Sequence, residues 1–312
     1  MGSNLADLLN EKCSCSTLAK GHFNEEVFSP SGIEGVERFY SETPSFINAS
    51  DKQRIQEILI SIRNALNLTE VRNRILEDYD IKARVQDISG GVFLSLDFHQ
   101  TKEGPKLIEI NTNAGGAYLQ LKLLEAQIRC CKAVDLALPN IEALQEIEEK
   151  FYSIFIKEWI ANNRNGLPGF IAIVDENPQS QFLYPEFLMF RNLFRSKGIH
   201  SEILDPKQIK SIEGDLYFED QKIDLIYNRL TDFHLLQAAN FKIKQAWEGG
   251  NTVVTPSPLD YDLYARKTNL TFLSDIESIA KVGMSDRDSK VLRKSIPYAK
   301  IVTADNAKEL WE

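Results

Sequence analysis

Residues 107–116 read LIEINTNAGG, and this stretch decides how the rest of the chain is read. Side chains alternate along a strand, so Glu109 and Asn111 share a face with Leu107, while Ile108 and Ile110 point the other way. Working outward, residues 90–111, GGVFLSLDFHQTKEGPKLIEIN, form two apolar runs separated by Lys102-Glu103-Gly104-Pro105. That pattern predicts an antiparallel hairpin with Asp97 on the first strand and Glu109 and Asn111 on the second. If adjacent strands place the three on one face, two carboxylates and an amide oxygen converge there. Such a set suits a hard cation such as Mg²⁺, which prefers oxygen ligands and brings phosphate with it. Alternatively Glu109 lies on a solvated sheet face and Asn111 opens a turn, and the spacing leaves both readings open.

The chain has 312 residues, 43% of them hydrophobic and 26% charged, enough for two substantial cores. A formal net charge of -9 argues against nucleic acid or an anionic membrane as the main partner, since both require a basic surface. No apolar run approaches the roughly 18 to 20 residues that cross a bilayer. The opening MGSNLADLLNEKCSCS lacks the basic start and apolar stretch of a secretory signal, so the expectation is a cytoplasmic protein. Cys13/Cys15 and Cys130/Cys131 lack zinc-site spacing and read as reduced, structural thiols.

Residues 51–78 carry Ile55, Ile58, Leu59, Ile62 and Leu66 at intervals of three and four, which predicts one or two amphipathic helices. After Gly115-Gly116 a helical pattern resumes, and a longer helix is expected from Ile141 to Asn162. Residues 162–169, NNRNGLPG, are polar and rich in turn formers and read as a linker. Beyond it come FIAIVDE as a strand, a helix from Pro185 to Lys197 stopped by Gly198, and HSEILD as a strand. IDLIYN, a helix from Leu235 to Trp247, and NTVVTP continue the alternation. Alternating strands and helices imply a parallel sheet, here a small doubly wound domain at 169–258. The tail reads as helices, with a short strand near Ala299-Val302 and a last helix after Thr303.

The order of these pieces carries a resemblance. DFHQTKEGPKLIEINTNAGGAYLQ resembles the metal-binding segment of ATP-grasp enzymes. EAQIRCC, LIYNRLTDF, VVTPSP and KTNLTFLSD follow in the order of a bacterial ATP-grasp-like family of the glutathione synthetase ATP-binding superfamily, in its circularly permuted form. The likeness covers roughly residues 90–312. It implies an α/β protein with an α+β N-terminal part. A helical, antiparallel-strand domain at 1–165 would carry the metal motif, a Rossmann-like pre-ATP-grasp domain would span 169–258, and 259–312 would begin an incomplete ATP-binding lobe. It also implies ATP and Mg²⁺ as cofactors, Asp97, Glu109 and Asn111 as metal ligands, and a small-molecule or peptide carboxylate as substrate. The sequence ends at Trp311-Glu312, where the resembled family continues into a lysine-bearing, Gly-rich lobe. The expectation is therefore a truncated piece or a lid-less protein.

Asn228 and Arg229 follow a buried strand, where open α/β sheets place ligands. Arg229 is the candidate catalytic residue, holding a substrate carboxylate by its fork, or else it pairs with Asp232 to shape the loop. Gly115 and Gly116 let backbone amides approach a phosphate, or form an ordinary tight turn. The resemblance puts Lys267 and Asn228 with them as cofactor-binding positions. Arg266 and Thr268 replace the acid and arginine that flank this lysine in many relatives, so a solvated helix lysine is the alternative. His99 and His234 read as structural histidines. The activity expected is ATP-dependent ligation of a carboxylate to an amine, against a non-catalytic binding module on a degenerate ATP-grasp fold. A Rossmann-type nucleotide enzyme is weaker, because FIAIVDENPQSQF has no Gly-rich loop after its strand.

Overall fold

A computed structural model describes residues 5–12, 45–75, 90–127 and 138–311, with isolated positions 25, 29, 40, 41, 43, 77 and 135. All four cysteines lie outside the described residues. In chain order the elements are α1 (Leu5–Lys12), α2 (Ala49–Leu66), α3 (Thr69–Ile75), β1 (Ser95–Thr101), β2 (Gly104–Asn111), α4 (Ala117–Glu125) and α5 (Ile141–Ala161). Then come β3 (Phe170–Val174), α6 (Tyr184–Ser196), β4 (His200–Leu204), β5 (Lys210–Ile212), β6 (Asp215–Phe218), β7 (Gln221–Lys222), β8 (Leu225–Asn228), α7 (Phe241–Glu248) and β9 (Val253–Thr255). A π-helical turn at Tyr261–Ala265 leads into α8 (Thr268–Ser274), α9 (Ile276–Lys281), α10 (Asp286–Ser295) and α11 (Ala307–Trp311).

The architecture is mixed α/β, and its contacts divide the chain into two compact units, each assembled from separated stretches rather than from three consecutive blocks. The first unit takes residues 1–46, 85–93 and 113–258; the second takes 47–84, 94–112 and 259–312.

The first unit is built on a parallel sheet in the order β4-β3-β8-β9. Every residue of β3, β8 and β9 is buried, as strands covered on both faces require. One face presents Ile171, Ile173, Leu225, Tyr227 and Val253 to an aromatic core made by Tyr118 of α4, Phe155 and Trp159 of α5, and Phe187, Phe190 and Phe194 of α6. Phe155 and Tyr227 meet edge to face with centroids 4.9 Å apart, the geometry the ring quadrupoles favour. Asn140 caps α5 by accepting from the Ala143 amide at 2.9 Å. Pro185 sits in the first turn of α6 and Gly198, at φ 80°, follows its end, matching the start and stop read from sequence.

Three expectations change. The helix foreseen from Leu235 begins only at Phe241, because Leu235 adopts φ 54° and the Asp232 carboxylate folds the intervening loop by accepting from the Gln237 amide and from Asn240 Nδ2. Residues 210–222 form a three-stranded antiparallel sheet, β5-β6-β7, that the alternating pattern did not suggest. The strand near Ala299-Val302 does not form; the Ala299 amide donates to Ser274 Oγ instead of to a neighbouring strand.

In the second unit the β1-β2 hairpin packs against α2, α10 and the π-helical turn. Asn48 caps α2 through the Asp51 amide at 2.7 Å, and Asp288 ties α10 to α2 by accepting from Ser61 Oγ at 2.9 Å and Asn64 Nδ2 at 3.1 Å. The hairpin departs from plain alternation. Phe98 pairs with Leu107 but Asp97 pairs with Glu109, so Ile108 is an extra residue, a β-bulge. Pro105 and Leu107 are buried before it and Ile110 and Thr112 after it. Leu107 therefore sits on the packed face with Ile110, not with Glu109 as alternation alone predicts. Among the described residues no helix is long and apolar enough to cross a membrane.

Candidate functional site

The bulge is what makes the polar face of the hairpin. On β1, Leu96 opposite Ile110 and Phe98 opposite Leu107 face the packed side, which leaves Asp97 opposite Glu109 and Ser95 opposite Asn111 on the other. Directly opposed residues have Cβ atoms about 5 Å apart, and opposed like charges destabilise a sheet. The Lys267 ammonium, 3.2 Å from Glu109 Oε1, supplies a cation at this pair. Ser95 Oγ donates to Asp97 Oδ1 at 3.4 Å. Asp97 is exposed, while Glu109 and Asn111 are half-buried. The structure thus puts all three proposed metal ligands, with Lys267 beside them, on one face of one hairpin.

The donor set is two carboxylates and an amide oxygen, without nitrogen or sulfur. Among the described residues no three of His, Cys, Asp or Glu are grouped as a metal site would need. A Mg²⁺ ion fits such a set, because it keeps several waters and is held by one or two carboxylates together with substrate phosphates.

The second cluster lies in the first unit, at the point where its sheet reverses direction. β4 lies on one side of β3 and β8 on the other, and ligands of open α/β sheets bind where the strand order turns in this way. The residues that leave the carboxyl ends of these two strands are Asp175 and Asn228-Arg229. Asp175 is 7% exposed. One of its oxygens accepts from the Glu176 amide at 2.8 Å. Burial pushes its carboxyl up to about 6, against the opposing pull of that amide bond and of the Arg229 charge.

Arg229 is also 7% exposed and heavily engaged. Its Nη1 donates to the Ala114 carbonyl at 2.8 Å and lies 3.4 Å from the Tyr227 hydroxyl, and its guanidinium packs over the rings of Tyr227 and Phe187. Its Nε is buried with no hydrogen-bond partner. Asn228 spends its side-chain amide on the loops around it: Nδ2 donates to the Pro256 carbonyl at 3.1 Å and Oδ1 accepts from the Leu230 amide at 3.0 Å.

Neither a protein-family model nor a curated protein matches this chain. The two clusters stand on their own chemistry.

The turn Asn113-Ala114-Gly115-Gly116 is held at both ends. Asn113 Nδ2 donates to the Leu230 carbonyl. Glu186 of α6, 1% exposed, accepts from the Gly116 amide at 2.9 Å and the Tyr118 amide at 2.8 Å, acting as an N-terminal cap for α4 that no residue of α4 provides. Gly115 is closely packed: a Cβ there would meet Leu183 Cδ1 and come 2.6 Å from Arg229 Nη2, so one of these side-chain ends would have to shift. Gly116, at φ 92°, takes a backbone conformation that glycine adopts without penalty. The Gly116 amide is thus already used inside the fold.

Sequence reading missed Asp175 and Glu186. Asp175 had a usable signal, an acid directly after a buried strand in a doubly wound sheet. Glu186 had none, being one of several acids in a helix whose partner lies 70 residues away. His99, opposite Lys106 on the hairpin, was legible only as a residue type, and the contact of Lys267 with Glu109 was not legible at all.

Proposed function

We propose that this chain is built for ATP- and Mg²⁺-dependent ligation of the ATP-grasp type, joining a carboxylate to an amine or similar nucleophile. The observation that carries the reading is the opposition of Asp97 and Glu109 in register, with Asn111 two residues on, which makes a hard-oxygen face on a hairpin. Asp97, Glu109 and Asn111 would hold Mg²⁺, which would supply positive charge to offset that of the nucleotide phosphates. Lys267 adds positive charge beside Glu109, where phosphoryl oxygens would gather. In the reaction the γ-phosphoryl group passes to a substrate carboxylate oxygen, giving an acyl phosphate and ADP. The nucleophile then attacks the acyl carbon and inorganic phosphate leaves. Arg229 is the proposed substrate-positioning residue, its fork suited to a carboxylate. The substrate class is a small molecule or peptide with a carboxylate.

Titration calorimetry of Mg·ATP into the full chain tests the metal assignment. Saturable, Mg-dependent binding should vanish in Glu109→Ala, and unchanged binding in that variant removes the assignment.

A second reading, a binding module on a degenerate fold of the same kind, draws support from Arg229 and Asn228, whose polar atoms are largely occupied within the protein. It takes the lead if Mg·ATP binds but no phosphate is released across a panel of amino acids and peptides.

A further inference from the structure

Away from the hairpin's acid face, the second unit contains a cavity of about 320 Å³ that neither cluster described above uses. It falls within the size range of small-molecule sites. Its apolar lining comes from Val71 on α3 and Phe272 on α8, and Asn269 contributes a side chain whose Nδ2 is committed to the Asp262 and Leu263 carbonyls. Two arginines line the same cavity, Arg74 from the last turn of α3 and Arg266 from the approach to α8. Glu70 is the one acid among the lining residues.

The chain has 45 acidic residues against 36 basic ones, and some cations of this unit are ion-paired: Arg54 with Asp51, Lys106 with Glu103 and Lys267 with Glu109. Among the described residues neither the Arg74 nor the Arg266 guanidinium has an ion-pair or hydrogen-bond partner. Two unpartnered guanidiniums beside apolar walls leave a positive potential over a surface that also favours a hydrophobic body. Field lines in a concave, low-dielectric site are focused, so the positive charge acts more strongly there than on a flat face.

We propose that this cavity binds a small amphipathic organic anion, an aromatic or branched apolar body bearing a carboxylate or a phosphate monoester. Arg74 and Arg266 take the anionic head and Val71 and Phe272 pack against the body. The proposal stands independently of the ligase reading, since none of its residues belongs to the hairpin face or to the sheet reversal point.

Phenylacetate, phenyl phosphate and the neutral benzyl alcohol, titrated calorimetrically into the full chain at low salt, provide the test. At least one anion should bind saturably, and benzyl alcohol should bind at least about tenfold more weakly, the worth of a charge-assisted hydrogen bond. Phenylacetate alone binding would identify a carboxylate head, and phenyl phosphate alone a phosphate head. Arg74→Gln and Arg266→Gln should each weaken binding by about tenfold, and because both side chains are exposed the variants should keep the parent circular dichroism spectrum. The proposal is overturned by the absence of saturable binding of both anions, by benzyl alcohol binding as tightly, or by a double variant that binds as the parent does.

Discussion

Asp175 shows how one buried carboxyl trades stability for a tunable proton. Its folded-state value of about 6 lies above the ordinary carboxylate range, so between pH 4 and 6 the folded chain holds a proton that the unfolded chain has released. Stability therefore falls as pH rises through that window, by about 3 kcal/mol once pH 7 is reached. Asp175→Asn keeps an acceptor for the Glu176 amide and should be more stable than the parent at pH 7, with a flatter profile between pH 4 and 6. Urea unfolding at several pH values checks this, and an unchanged profile in the variant would show that Asp175 titrates normally. Gly115 acts by its size. Adding a methyl group in Gly115→Ala must displace Leu183 or the buried guanidinium of Arg229, and should lower stability by about 1–3 kcal/mol, read as a lower urea midpoint at constant m. At this scale the sequence was informative about placement, since Asp97, Glu109 and Asn111 do share one face of the hairpin and Arg229 does follow a buried strand. It was silent where a side chain earns its role by reaching across the fold, as Glu186 does.

Among the elements, the hairpin and the α4–α6 contact show two ways in which local pattern is overridden. The bulge at Ile108 shifts the buried positions of β2 from odd to even numbers, so no strict period of two could have placed both Leu107 and Ile110 in the core. What sequence did supply was the apolar content and the turn, and these placed the second strand within about two residues, while β1 begins at Ser95, later than the run from Gly90 suggests. The doubly wound sheet was equally legible, because its strands are short continuous apolar runs separated by helices with clear stops. The antiparallel β5-β6-β7 sheet was not, since its strands are two to four residues long and β5 is exposed throughout. Helix α4 depends on a neighbour for its start. In Glu186→Leu the Gly116 and Tyr118 amides lose their acceptor, and the variant should lose about 2–4 kcal/mol. Glu186→Gln retains an acceptor without the charge and should lose roughly half of that. Equal stability of Glu186→Leu and the parent, measured by urea unfolding, would mean that water satisfies these amides.

For the molecule as a whole, the governing fact is that the chain passes between its two units five times, at 46/47, 84/85, 93/94, 112/113 and 258/259. Sequence could not reveal this, because linker composition marks where a chain turns and not where it returns. The polar stretch at 162–169 reads as a boundary, yet α5 before it and β3 after it pack into one core. A fragment of residues 169–258 is therefore expected not to fold, since it lacks Tyr118, Phe155 and Trp159. Its amide NMR spectrum should show collapsed dispersion, and a well-dispersed spectrum would make the parallel sheet an autonomous domain. The pairing of Ser61 with Asp288 spans 227 residues. At synthesis rates of about 5–20 residues per second, Ser61 and Asn64 of α2 wait on the order of 10 to 50 s after their own synthesis before Asp288 of α10 emerges to accept from them. During that interval the face of α2 that meets α10 is open to solvent or to any chaperone at the ribosome exit. Slowed elongation should thus lower the soluble yield of this protein more than that of one whose helices pack against their immediate neighbours.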